Sequence, residues 1–118
     1  MAAKDELGRR GEDEAVRYLE RRGLVVLSRN WRCRDGELDV VAVDADRLVV
    51  CEVKTRSGTR FGEPAEAVTP RKAARIRRVT QAWLAAHHVR WCEIRFDVVA
   101  VLMEPGRPAT LQHYEAAF

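Results

Sequence analysis

The chain has 118 residues, 47% of them hydrophobic and 33% charged, and a formal net charge of +3. That composition excludes a disordered chain, and the length fits one domain able to bury a core without disulfides or a structural metal. Its apolar stretches are strand-sized, too short to span a membrane, and MAAKDELGRR at the N-terminus lacks the apolar core of a secretory leader.

Residues from about Asp5 to Arg22 read as a helix, with Ala15, Val16 and Leu19 on one stripe and Gly23 as the stop. Leu24–Asn30 reads as a strand, Glu37–Val43 as a second and Arg47–Lys54 as a third, the last two joined by a polar turn at Asp44-Ala45-Asp46. Thr55–Val68 contains Gly58, Gly62 and Pro64 and reads as a loop. Thr69-Pro70 then starts a helix, Thr as N-cap and Pro in the first position, running to about His87 and burying Ile76, Val79, Trp83 and Ala86. Trp91–Leu102 is a fourth, largely apolar strand, with Trp31 and Trp91 expected as core or edge aromatics. Pro105-Gly106 turns into a short C-terminal element of undetermined type. The order helix, three strands, helix, strand implies an α/β domain over residues 1–118, with helices flanking a mixed sheet. A right-handed crossover through the second helix would place the fourth strand parallel to a neighbour.

Cys33, Cys51 and Cys92 are an odd number with no CxxC pair, which points to reduced, structural thiols in a cytoplasmic protein. The three histidines have no zinc spacing. Residues 71–95 hold seven cations, Arg71, Lys72, Arg75, Arg77, Arg78, Arg90 and Arg95, against Glu93, so this segment carries +6 and the rest of the chain −3. A segment that basic suits a polyanionic partner, although a solvated helix face gives the same pattern.

The chemistry concentrates on the second and third strands. Side chains alternate between faces, so Leu48, Val50, Glu52 and Lys54 share one face of their strand, and Glu37, Asp39 and Val41 share one face of theirs. A two- or four-residue turn pairs Asp44 with Arg47, and the same register sets Asp39 opposite Glu52 with Cβ atoms about 5 Å apart. Two facing carboxylates repel, and a divalent cation between them removes the conflict. Glu12 shares the buried stripe of Ala15, Val16 and Leu19, and a buried carboxylate needs a partner: an arginine, or the metal site. Lys54 is one of only three lysines (with Lys4 and Lys72) beside 18 arginines. Its compact, tunable ammonium suits holding a water, although a strand-end lysine can simply reach solvent. Asp97 in the apolar RFDVVAV reads as a buried structural acid bonded to backbone or to an arginine.

GELD at 36–39 followed by CEVKTR at 51–56 resembles the PD-(D/E)xK nuclease signature, with Leu38 where the name-giving proline would stand. Together with Gly11-Glu12, Asn30, Phe61-Gly62, Lys72 and RFDVV at 95–99, it resembles the small YraN-like bacterial family over nearly the whole chain. That family is assigned a restriction-endonuclease-like fold and is similar in layout to archaeal Holliday junction resolvases. The resemblance implies hydrolysis of DNA phosphodiesters, on double-stranded or branched DNA. Asp39, Glu52 and the Val53 carbonyl would hold Mg²⁺ or Mn²⁺, with Lys54 as the catalytic lysine and Glu12 as a helix-borne acid. Arg56 and Arg60 after the third strand, and Arg71, Lys72, Arg75 and Arg78 on the second helix, would grip phosphates. Resolvase-like proteins act as dimers, so a homodimer is one implied arrangement. A non-catalytic nucleic-acid-binding module on a nuclease scaffold is the competing reading, and a structural αβ domain whose acids pair with its arginines is a third.

Overall fold

A computed structural model describes residues 3–57 and 68–118. The expected phosphate contact Arg60 and the Phe61-Gly62 pair lie outside the described residues, as do Gly58 and Pro64. In chain order the elements are α1 (Ala3–Arg21), β1 (Val25–Cys33), β2 (Gly36–Asp44), β3 (Arg47–Arg56), α2 (Pro70–Ala86), β4 (Ile94–Leu102) and β5 (Thr110–Tyr114). The strands form one mixed sheet in the order β1-β2-β3-β4-β5. β1, β2 and β3 are antiparallel neighbours, β4 is parallel to β3, and β5 returns antiparallel. This is the helix–three strands–helix–strand order read from the sequence, compatible with a nuclease-like α/β fold, and the undetermined C-terminal element is a strand.

Each sheet face has its own core. Ala15, Val16 and Leu19 of α1 pack on Val40, Ala42, Val49, Cys51, Val99 and Val101. Ile76, Val79, Trp83 and Leu84 of α2 pack on Leu38, Val41, Leu48 and Val50. The central strands are therefore buried on both sides, which is why they read as near-continuous Val-rich runs. Gly23 ends α1 with a positive φ of 93°, and Thr69 caps α2 by accepting the Lys72 N–H.

Two expectations fail locally. Ala86 is exposed: an inward stripe repeating every 3.6 residues runs through Ile76, Val79 and Thr80, then Trp83 and Leu84, and passes Ala86 by. Trp91 is 91% exposed, neither core nor strand. The β4 ladder begins at Ile94 opposite Leu48, and the Leu48 N–H still reaches the Glu93 carbonyl at 2.9 Å, but Trp91 lies beyond the start of β3 at Arg47 and has no strand beside it. Among the described residues no helix is long and apolar enough to cross a membrane.

Candidate active site

A two-residue turn at Ala45-Asp46 sets the register that pairs Asp44 with Arg47, and it holds through Val40 and Cys51. The next rung, Asp39 opposite Glu52, does not form: the ladder stops one pair short. Instead the Val53 N–H donates to Asp39 Oδ2 at 2.9 Å, so a carboxylate takes the place of a backbone acceptor where the strands part. A strand residue directs its N–H and C=O to the same edge, so the Val53 carbonyl is aimed into the same gap.

The cause lies one strand away. Residues two apart in a regular strand share a face, yet Leu38 packs under α2 and Val40 under α1. Asp39 is the step between them. Opposite it, between the pairs Arg29↔Val40 and Trp31↔Leu38, sits Asn30 with φ 52°. Asn is among the few residues that tolerate this left-handed conformation. Both strands change face together at this point, which turns Asp39 off the sheet face and toward β3.

Glu12 reaches the same place from α1. Gly11 allows this approach, because a Cβ there would lie 2.0 Å from Thr55 Oγ1 on β3. Glu12 is 8% exposed, and its Oε1 accepts from Asn30 Nδ2 at 2.7 Å and Arg29 Nη2 at 3.2 Å. Of its two expected partners, the arginine is therefore present. A cleft of about 670 Å³ opens here, walled by Glu12, Asn30, Asp39, Val53, Lys54 and Thr55, with Arg9, Arg32 and Glu37 at its sides.

Glu52 is 7% exposed and faces the α2 layer with Leu48 and Val50, as strand alternation requires. The carboxylates thus do not share one face: Glu12 comes from the α1 side, Glu52 from the α2 side, and Asp39 occupies the gap. Accordingly, among the described residues no three His, Cys, Asp or Glu side chains form a ready-made metal cluster. Asp39 and Glu52 are nonetheless coupled electrically. Burial pushes Glu52 up to about 8, and the Asp39 charge adds to the rise. Burial likewise pushes Asp39 up to about 6, against the Val53 hydrogen bond and with the help of Glu12 and Glu37. Glu52 Oε2 is buried with no hydrogen-bond partner. Among the described residues neither Asp39 nor Glu52 makes an ion pair with a guanidinium.

Lys54 is exposed at the cleft wall. Lys72, in the first turn of α2, lowers the pKa of both Asp39 and Glu52; its place beside the carboxylates was not legible from a reading that gave it only phosphates. Arg71, Arg75 and Arg78 are exposed along one flank of α2, where 100° per residue puts them within a narrow arc. Arg75 lies over the β1–β2 turn at Gly36. Arg56 is half-buried at the end of β3. Asn30 was legible only as part of a motif, since a left-handed residue within a strand has no periodic signature.

Asp97, fully buried in β4, is indeed a structural acid. It accepts from Arg95 Nε and Nη2 at 2.8 Å each and from the Ala116 N–H at 3.0 Å, and pairs with His113 Nε2 at 2.7 Å. Burial works to raise its pKa, but the hydrogen bonds from His113, Arg95 and Ala116 outweigh it and hold the carboxyl below its usual range.

Fold and cleft define a mixed α/β domain with a buried acidic pair at the parting of two central strands. The chain belongs to the uncharacterised protein family UPF0102, whose model matches residues 11–101. It is 57% identical over 118 residues to a UPF0102 protein of Frankia alni, covering 100% of this chain and 98% of that one. It is also 58% identical over 114 residues to one of Kineococcus radiotolerans, covering 96% and 93%, and 51% identical over 115 residues to one of Nocardia farcinica, covering 98% and 91%.

Proposed function

We propose that this protein is a metal-dependent DNA endonuclease that hydrolyses phosphodiester bonds, with branched or damaged DNA as its substrate class. The observation that carries the reading is the buried Glu52 carboxylate, with one oxygen lacking any partner, beside Asp39. Unpaired buried carboxylates are costly, and both of these are held toward protonation. Two carboxylates and the Val53 carbonyl make an all-oxygen donor set of the kind Mg²⁺ or Mn²⁺ takes, with solvent completing it. A bound divalent cation would activate the attacking water and neutralise charge developing on the phosphate.

The chain's own groups supply the rest. Lys54, on the cleft wall beside Asp39 and Val53, orients the incoming water and faces the charge that builds on the phosphoryl oxygens. Glu12, fixed by Asn30 and Arg29, borders the same cleft as a third acid. Lys72 keeps the acidic pair within reach of ionisation near neutral pH. Arg71, Arg75 and Arg78 run away from the cleft along α2 and offer phosphate contacts without sequence preference.

The test is cleavage of four-way, flapped and nicked DNA in Mg²⁺. Wild type should cut at least one of these, EDTA should abolish cutting, and Lys54→Ala and Asp39→Asn should each reduce it by 100-fold or more. Equal cutting by wild type and Lys54→Ala would reject the site.

A further inference from the structure

Toward the other end of α2 lies a second surface that meets the proposed chemistry only at Arg78, the last of its phosphate contacts. Two cavities of about 370 and 350 Å³ adjoin between α2 and β4 and share Gln81 and Ile94. The first is walled by Leu84, Val89, Trp91 and Cys92, the second by Arg77, Arg78 and Phe96. A tryptophan 91% exposed next to a half-open apolar wall has no role in the fold, and such patches mark interaction sites. The rim is cationic. Arg77, Arg78 and Arg90 are exposed, and among the described residues none of them makes an ion pair. Each cavity has room for about one large side chain.

The chain itself shows the chemistry this surface accepts. Its segment Glu115–Phe118 lies against β4: the Ala117 N–H donates to the Phe96 carbonyl at 2.7 Å, and Glu115 pairs with Arg95 at 3.3 Å. Phe118 packs on Phe96 at 5.3 Å between ring centroids, and the Arg77 guanidinium lies over both rings at 5.8 and 4.9 Å. An acid followed by an aromatic, seated beneath arginine, is thus already bound next to the open cavities.

We infer that the α2–β4 groove docks a short extended peptide of a partner protein, carrying acidic residues and two large apolar side chains. The apolar residues would enter the two cavities, Trp91 would close over the outer one, and Arg77, Arg78 and Arg90 would pair with the acids. Gln81, at the junction, is placed to hydrogen-bond the peptide main chain. A narrow apolar groove suits a peptide better than duplex DNA, whose charged backbone gains nothing from Leu84, Val89 and Ile94. Helix α2 rises about 1.5 Å per residue and turns about every 3.6 residues, so Gln81 lies about 13 Å and about two and a half turns beyond Lys72, on the opposite side of the helix, and the groove is separate from the cleft.

The experiment titrates a fluorescein-labelled peptide, Asp-Asp-Phe-Asp-Phe, into the intact protein by anisotropy, and its unlabelled copy by tryptophan emission, the share of Trp91 among the three tryptophans being the part lost in Trp91→Ala. The controls are Lys-Lys-Phe-Lys-Phe and a labelled poly-dT strand. The acidic peptide should bind and blue-shift the emission. Arg77→Glu/Arg78→Glu and Trp91→Ala, with melting temperatures checked against wild type, should each weaken it 10-fold or more. Glu52→Gln should leave it unchanged, which separates this surface from the nuclease reading. Equal binding of the lysine peptide, preferential binding of poly-dT, no binding at 1 mM, or concentration-dependent self-association that accounts for the Trp91 signal would each overturn the inference.

Discussion

Replacing Glu52 by glutamine keeps the shape of the side chain and removes its charge. Folding raises the Glu52 pKa from 4.5 to about 8, so the folded state binds a proton that the unfolded chain gives up. The stability linked to that proton is complete below about pH 4.5 and is lost as pH rises through about 8. Each pH unit is worth about 1.4 kcal/mol, which sets a ceiling of about 5 kcal/mol. A buried glutamine amide still needs partners, at a cost of about 1–3 kcal/mol. Metal-free Glu52→Gln should therefore be more stable than wild type at pH 8 by about 2–3 kcal/mol, roughly 10 °C in Tm for a domain of this size. At pH 5, where the wild-type carboxyl is already neutral, only the amide cost remains and the order should reverse, the variant being less stable by about 1 kcal/mol. Thermal melts in EDTA at the two pH values measure this directly. A variant less stable than wild type at pH 8, or a gap independent of pH, would refute the reasoning about burial.

Other perturbations test the supporting structure. Gly11→Ala forces a methyl onto Thr55 and should cost about 2–3 kcal/mol in urea unfolding, with part recovered in Gly11→Ala/Thr55→Gly. Asn30→Val puts a β-branched residue at φ 52° and should cost about 2–3 kcal/mol, whereas Asn30→Gly keeps the backbone and should cost about 1 kcal/mol. Asp97→Ala leaves Arg95 without its buried partner and should cost about 3 kcal/mol, with faster amide exchange in β5. The Asp97 contribution itself should be present above the usual carboxyl range and fade only as pH falls below it, because its folded pKa is lowered. Lys72→Gln removes a cation that lowers both acidic pKa values, so the pH at which Mn²⁺ begins to stabilise the protein should move upward.

Much of the fold was legible because its signals are local. The Ala15–Leu19 stripe, Thr69-Pro70 and the turn register at Asp44–Arg47 depend on residues a few positions apart, and each appears as read. What periodicity could not carry was the step at Asn30 and Asp39. A strand rule places Asp39 opposite Glu52, whereas a left-handed residue on the neighbouring strand ends the ladder and turns the carboxylate into the gap. Glu12 was placed correctly on the buried stripe, yet its bonds to Asn30 and Arg29 depend on where β1 changes face, which follows from packing. Trp91 misled because its apolar character resembles the strand it precedes, while strand pairing begins only where β3 supplies a partner.

Isothermal titration of Mn²⁺ at pH 7, in buffers of different ionisation enthalpy, addresses the acidic pair most directly. Saturable binding with release of about one proton is expected for wild type, since the ion must displace the proton held at Asp39 and Glu52, and neither Asp39→Ala nor Glu52→Gln should retain it. Binding without proton release, or equal affinity in all three proteins, would contradict a cation site at the parted strands.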